Sequence, residues 1–379
     1  MNARARGTAW LARRTGAVVW RSLVRIVVTG ASGNVGSALL RRLLAVGGHD
    51  ILGVARRVPD EPGAPFDAVS WRSLDLTEDT ATDDLREAFR GADAVVHLAW
   101  GFQPSHDIAY LEALGVGGTR RVLEAVALED VRHVVHMSSV GAYSPKRDDT
   151  PVDETWPTGG VPTSPYSRHK SSAERLLDAH ESAYPDRVVT RLRPGVVGQR
   201  TAGSALLRYA LPGLVPAAVL GHLPVLPLDR RLTIPMVHAD DVAAAIERVL
   251  ATTAAGPFNL AAEPAVTTAD IADVLGARQV QVPSAVLRAV VSLTWHARLQ
   301  QVDTGWLDLG FAVPLLDTSR ARRELCWTPQ VDARTVLAET VAGMREGAAD
   351  RSPVLRPRSV PGQVARALRH GPVSRRHRP

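Results

Sequence analysis

Residues Val24–Gly36 read VRIVVTGASGNVG. Within them, Arg25–Thr29 is a mostly apolar, β-branched run, the composition of a buried parallel strand. Gly30, Gly33 and Gly36 follow, and Val35–Val46 then carries helical spacing. Strand, glycine turn and helix in this order make a diphosphate site. The first glycine permits a turn with positive φ, and the second leaves no Cβ where a phosphate must approach. The third lets helix and strand pack closely, while the helix N-terminus offers free N–H groups to the anion. Gly30, Ser32, Gly33, Asn34, Val35 and Gly36 are therefore the expected cradle. The spacing is G-x-x-G-x-x-G, shifted from the G-x-G-x-x-G of the ordinary dinucleotide fingerprint.

Outward from this stretch, strands and helices alternate. Asp50–Ala55, Val69–Leu74, Ala92–Ala99, Val131–Met137 and Arg187–Leu192 read as strands. Asp83–Arg90, Ala109–Leu128 and Tyr166–Ser182 read as helices between them. Such alternation predicts an α/β fold with a doubly wound parallel sheet (Rossmann-like) and right-handed crossovers. Ligands then lie at the carboxyl ends of the strands, where the glycine turn, Arg56, Asp75 and Ser139 all fall. Beyond Arg193 the alternation weakens. Helices at Asp240–Leu250, Thr268–Leu275, Ser284–Thr294 and Asp332–Arg345, with a strand at Pro257–Leu260, suggest a smaller α+β C-terminal substrate lobe. The expected organisation is a basic, disordered extension (1–23), a dinucleotide-binding domain (24–198), a mainly substrate-binding lobe (199–346) and a basic, disordered tail (347–379).

Charge supports that division. The formal net charge is +6, yet residues 1–23 and 351–379 hold thirteen arginines and no acid. The body between them carries 32 basic against 39 acidic residues, about −7. A nucleic-acid role would rest on two tails alone, so no specific nucleic-acid partner is expected. Cys326 is the single cysteine; beside Trp327 it reads as a core residue, and an internal disulfide is excluded. His133 and His136 flank Val134 and Val135 in a strand and read as structural, and no metal-ligand cluster is present. The N-terminal apolar run Gly16–Trp20 is too short for a secretory leader, so a cytoplasmic chain is expected. Leu206–Leu228 is very apolar but is broken by Pro212, Pro216, Pro224 and Pro227; it reads as a mobile flap over a pocket, not a membrane span.

Three positions carry chemistry. An NAD site places Asp or Glu at the end of the second strand; here stand Ala55 and Arg56. A guanidinium can pair with a 2′-phosphate, which favours NADP(H), with NAD as the other option if Arg56-Arg57 is only a solvated pair. Asp75-Leu76 falls where an adenine edge would rest. Tyr166 and Lys170, four apart on a helix, share a face. A fixed ammonium there would stabilise a phenolate and lower its pKa by about three units, roughly 4 kcal/mol. Ser139, at the end of the preceding strand, can hold a substrate oxygen against Tyr166.

Read together, TGASGNVG (Thr29–Gly36), Asp75-Leu76, HLA (His97–Ala99), MSSVGAY (Met137–Tyr143), SPYSRHK (Ser164–Lys170), RPGVVG (Arg193–Gly198), VHADDVA (Val237–Ala243) and LCWTP (Leu325–Pro329) resemble the extended short-chain dehydrogenase/reductase superfamily, the NAD(P)-dependent epimerase/dehydratase group. The resemblance spans roughly residues 24–346 in order, and its glycine spacing is the shifted one. It implies Ser139, Tyr166 and Lys170 as the catalytic set, with Tyr166 as general acid/base and Lys170 on the nicotinamide ribose. It also implies Leu98 and Ala99 beside the cofactor, Pro194 and Val196 along the nicotinamide, and a homodimer through the two long helices. Two departures stand out. Gly115 occupies a position where the family often has asparagine, and Val140-Gly141 replaces the acidic pair of the sugar-nucleotide 4,6-dehydratases. The leading expectation is an NADP(H)-dependent oxidoreductase acting on a carbonyl/alcohol pair of a small or apolar substrate. The alternatives are a nucleotide-sugar epimerase with retained NAD and a non-catalytic NADP(H)-binding sensor.

Overall fold

A computed structural model describes residues 24–60, 63–101, 105–210, 217–300 and 302–357. Strand β1 (Val24–Thr29) leads through the glycine turn into helix α1 (Asn34–Val46), and β2 (His49–Ala55) returns parallel to it. Then come β3 (Ser70–Ser73), α2 (Ala81–Phe89) and β4 (Ala94–His97). The long helical stretch is α3 (Ile108–Glu112), a π-helical turn (Ala113–Gly117) and α4 (Gly118–Leu128). β5 (His133–Met137), α5 (Pro165–Ala183) and β6 (Val188–Pro194) complete the alternation. The sheet has seven parallel strands; with the late strand Gly256–Leu260 as β10, the order is β10-β6-β5-β4-β1-β2-β3. The apolar runs read as strands are its inner members: β4 and β5 are buried at every position, as strands covered on both faces must be.

The seventh strand corrects the expected division. β10 (Gly256–Leu260) pairs with β6, and helix α7 (Ala239–Thr252) packs Val242, Ile246 and Leu250 into the same core cluster as Leu39 and Leu43 of α1. Residues 239–260 thus complete the nucleotide-binding layer, although in sequence they lie inside the second half. Before and after them in sequence the smaller lobe forms. It contains β7 (Val196–Gly198), α6 (Gly203–Ala210), β8 (Val225–Leu228), β9 (Thr233–His238), β11 (Ala262–Thr267), α8 (Thr268–Leu275) and β12 (Arg278–Gln281). Helices α9 (Ser284–His296), α10 (Thr304–Ala312), α11 (Ser319–Leu325) and α12 (Ala333–Glu346) follow. β11-β9-β7 is a mixed three-stranded sheet, and β12-β8 a parallel pair.

Three further expectations change. The apolar stretch Leu206–Leu228 ends in strand β8, so that part is sheet; residues 211–216 lie outside the described residues. Cys326 is exposed, because it takes the left-handed cap of α11 at φ 50°, where the following Trp327 turns inward instead. The tail expected to be disordered from residue 347 is folded as far as 357. Ser204 donates to the carbonyls of Gly347 and Ala348, and Leu355 is 1% exposed among Ala202 and Ala205. The extension 1–23 and residues 358–379 lie outside the described residues. Among the described residues, no helix is long and apolar enough to cross a membrane, and no cluster could hold a metal ion.

Candidate active site

The glycine turn has the shape its spacing requires. Gly30 sits at φ +72°, and a Cβ there would come within 2.6 Å of the Ala99 amide nitrogen. A Cβ on Gly36 would strike the carbonyl oxygens of Gly30 and Ala31. Gly33 caps α1 without a side-chain hydrogen bond, and no acid lies in the first turn. The N–H groups there remain open to an anion, so these residues fit a cofactor diphosphate. Leu98 donates to the Thr29 carbonyl at 3.0 Å, which fixes Leu98-Ala99 against the turn. Two cradle residues are engaged elsewhere. Ser32 is 2% exposed, and its carbonyl accepts from the Ser352 hydroxyl. Asn34 donates to the Val197 carbonyl and its Oδ1 accepts from Gln199, which ties the helix start to β7. Val35 packs against the core.

Arg56 follows Ala55 at the carboxyl end of β2. It donates to the Tyr110 hydroxyl at 2.6 Å, and its Nε is buried with no hydrogen-bond partner among the described residues. An orphaned guanidinium nitrogen is costly, and an anion beside it would repair the deficit. Asp75 accepts from the Thr77 N–H and hydroxyl through Oδ1, while the Leu76 side chain is buried against Gly118. Pro194 is buried at the end of β6, and Val196 projects from β7 at 42% exposure.

Of the three side chains expected to react, Ser139 and Tyr166 meet directly, and Lys170 joins them through Trp100. Ser138 and Ser139 diverge after β5: Ser138 donates to Glu174 at 2.5 Å, whereas Ser139 is hydrogen-bonded to Tyr166. Ser139 Oγ also accepts from the Gly141 N–H at 2.9 Å, and a Cβ on Gly141 would meet the Tyr166 ring at 2.9 Å. Gly141 is therefore the space that lets Tyr166 reach Ser139. Burial pushes the Tyr166 phenol up to about 12, against the opposing effect of Ser139. Lys170 donates to the Met137 carbonyl at 2.8 Å, and its Nζ lies 3.5 Å from the centre of the Trp100 ring. Burial lowers its pKa, partly offset by the Glu174 charge. The expected depression of the Tyr166 pKa by Lys170 is thus absent from this arrangement, because the ammonium is directed at a carbonyl and an indole face.

Behind the set, burial raises the Glu174 pKa, but hydrogen bonding and charge from Arg193, with Ser138 and Arg191, outweigh it and hold the carboxyl below its usual range. Tyr143 completes this support by donating to Asn259 at 2.7 Å. His97 bridges Thr29 and Thr119, and burial keeps it neutral.

Trp100 and Trp306 were not singled out by the sequence. Trp100 meets Tyr166 edge-on at 6.4 Å, and Trp306 lies over it at 5.0 Å. With Leu111, Ile108, His169 and Asp303 they line a small pocket at Tyr166. The signal for Trp100 lay at Gly115: a Cβ there would meet the Trp100 ring at 2.9 Å, so the missing asparagine side chain is space taken by indole. Trp306 comes from a distant helix and carries no local signal.

A family model described as NAD dependent epimerase/dehydratase family matches residues 26–261. An uncharacterised protein of Mycobacterium tuberculosis is 28% identical over 85% of this chain, which spans only 30% of that relative's length. The dTDP-6-deoxy-L-talose 4-dehydrogenase (NAD(P)(+)) of Kitasatospora kifunensis is 34% identical over 54% of this chain and 63% of its own. Among solved structures, the DesIV dTDP-glucose 4,6-dehydratase of Streptomyces venezuelae, with NAD and TYD bound, superposes at a TM-score of 0.64 and 24% identity, covering 85% of this chain and 97% of that one. Its likeness is one of fold. With the glycine turn, the seven-stranded sheet and the family match in agreement, the chain belongs to the NAD-dependent epimerase/dehydratase family of the extended short-chain dehydrogenase/reductase superfamily.

Proposed function

We propose that this protein is an NADP(H)-dependent oxidoreductase that reduces a carbonyl, or oxidises the matching alcohol, on a small apolar substrate. The observation that carries the reading is Tyr166: a phenol held protonated in a buried, aromatic pocket and hydrogen-bonded to Ser139. Gly30, Gly33, Gly36 and the start of α1 would hold the cofactor diphosphate, Arg56 its 2′-phosphate, and Lys170 its nicotinamide ribose. Leu98, Ala99, Pro194 and Val196 would flank it. When bound, the nicotinamide supplies or accepts the hydride. In reduction, Ser139 hydrogen-bonds the substrate oxygen and polarises the carbonyl. As the carbonyl carbon gains hydride, the oxygen takes the Tyr166 proton, so the C=O bond becomes an alcohol C–O–H. The oxidative direction reverses both transfers. Glu174 and Arg193 keep the floor beneath Lys170 rigid, and Trp100 and Trp306 exclude water.

The Kitasatospora relative's name as a 4-dehydrogenase using NAD(P)(+) favours net hydride transfer over epimerisation. NADPH and NADH titrations run side by side on the wild type and on Tyr166→Phe test the reading. Tighter binding of NADPH, retained by the variant, with at least about a hundredfold loss of carbonyl-reducing turnover, is expected. Tightly retained NAD, with interconversion of sugar epimers and no added cofactor, would replace it with the epimerase reading.

A further inference from the structure

Helix α9 (Ser284–His296) is unusual in this fold because none of its residues is buried. Val286, Val290 and Leu293 recur at the spacing of one helical face and are 51%, 56% and 73% exposed; Leu299, just beyond the helix, is 61% exposed. Leu287, Val291 and Trp295 turn the other way and are half-buried. A soluble helix normally puts its apolar stripe inward, so an outward stripe of this size marks an interaction surface.

Charge identifies the partner. The body of the chain is acidic, but residues 274–302 contain Arg278, Arg288 and Arg298 and no Asp or Glu. Arg288 lies on the helix itself, half exposed, and is paired with Asp308 of α10 at 3.3 Å. Arg298 is exposed just past the helix end and immediately precedes Leu299 in sequence. Residues 1–23 and 358–379 are basic as well, so charge does not favour the chain's own ends as its cover. An exposed apolar face on a helix that carries no acid of its own, with Arg298 exposed just beyond it, matches a helix lying in the interface of an anionic bilayer.

We propose that the Val286–Val290–Leu293–Leu299 face docks peripherally on an anionic lipid surface. The position suits such a role. Trp295 stacks on His106 at 4.4 Å, next to Ser105 and Asp303 at the pocket that holds Tyr166. The helix that carries the docking face therefore reaches the neighbourhood of the pocket through its inner side, which would give an apolar substrate leaving the lipid a short path to Tyr166.

The test is co-sedimentation of the full chain with phosphatidylcholine vesicles, with and without phosphatidylglycerol, for the wild type and for V290E/L293E. NADPH affinity and size-exclusion elution are measured alongside. The wild type is expected to bind the phosphatidylglycerol vesicles, and the variant at least about tenfold more weakly with unchanged NADPH affinity. V290S/L293S, which adds no charge, provides the same comparison if the first variant does not fold. Equal binding by wild type and variant would assign the lipid contact to the basic ends and overturn the proposal. So would absence of wild-type binding, or a wild-type dimer that the substitutions split without any vesicle binding.

Discussion

Gly115 and Trp100 are a matched pair. The π-helical turn Ala113–Gly117 carries Gly115 past the indole at a distance no side chain could share. Trp100 then fills the pocket wall, faces the Lys170 ammonium and touches Tyr166 edge-on. A Cβ at residue 115 must push against a ring wedged among these groups, and overpacking of that kind costs about 1–3 kcal/mol. Gly115→Ala is therefore expected to lower stability by that amount in denaturant unfolding. Trp100→Phe in the same chain should recover much of the loss, giving a coupling energy of about 1 kcal/mol in a double-mutant cycle. Strictly additive effects would mean that the two residues do not share the space. The sequence exposed only half of this arrangement. Gly115 was visible as a departure from the family pattern, but nothing local linked it to Trp100, because the contact depends on the π-turn. That Ser139 follows a strand end and that Tyr166 and Lys170 lie four apart on one helix was legible, because such placements need no tertiary information. The direction of the Lys170 ammonium was not, since it depends on where a carbonyl and an indole face lie.

At the level of elements, the core of the nucleotide sheet is built around neutral histidines. His97 at the end of β4 spans Thr29 and Thr119, and His133 at the start of β5 meets Thr190 of β6 at 2.9 Å. Burial lowers their pKa values to about 3 and about 4; for His97 the Lys170 charge adds to it. The unfolded chain binds these protons near pH 6.5, whereas the folded chain does so only near those lower values. Between them the unfolded state holds more protons, so stability falls as pH falls, by up to about 1.4 kcal/mol per unit per histidine. The melting temperature is expected to drop steadily from pH 7 to pH 5. His133→Gln, which keeps a polar partner for Thr190, should flatten that slope even if it lowers the melting temperature at pH 7. An unchanged slope would remove His133 from the account. Periodicity located these strands to within a few residues, since buried β-branched runs permit few other readings. It assigned β10 to the wrong lobe, because five residues of strand carry no mark of the sheet they join. That choice is made by α7 packing on α1 and by the β6 pairing.

The whole molecule closes on the cofactor cradle from its far end. After α12 the chain turns back, Ser204 holds Gly347 and Ala348, and Leu355 seats beside Ala202 and Ala205. Between these anchors Ser352, fully buried, donates its hydroxyl to the Ser32 carbonyl and accepts from the N–H groups of Val354 and Leu355. The turn that would bind the diphosphate is thus braced from behind by residues about 320 positions away. Composition hid this, because residues 351–379 are rich in arginine and hold no acid, which reads as solvated chain, yet Ser352 and Leu355 within them are buried. Removing the brace exposes apolar surface around Ala202 and leaves the Ser32 carbonyl without its donor, together worth about 2–4 kcal/mol. A chain ending at Asp350 should unfold at lower denaturant and bind NADPH about tenfold more weakly, because a loosened turn must be ordered again on binding. Ser352→Ala should lose about 1–2 kcal/mol of stability while keeping Leu355 in place. If the truncation lowers stability but leaves NADPH affinity intact, the segment holds the lobe together without shaping the cradle. If both variants weaken NADPH binding, the bond from Ser352 to Ser32 is the route by which the end of the chain sets the glycine turn.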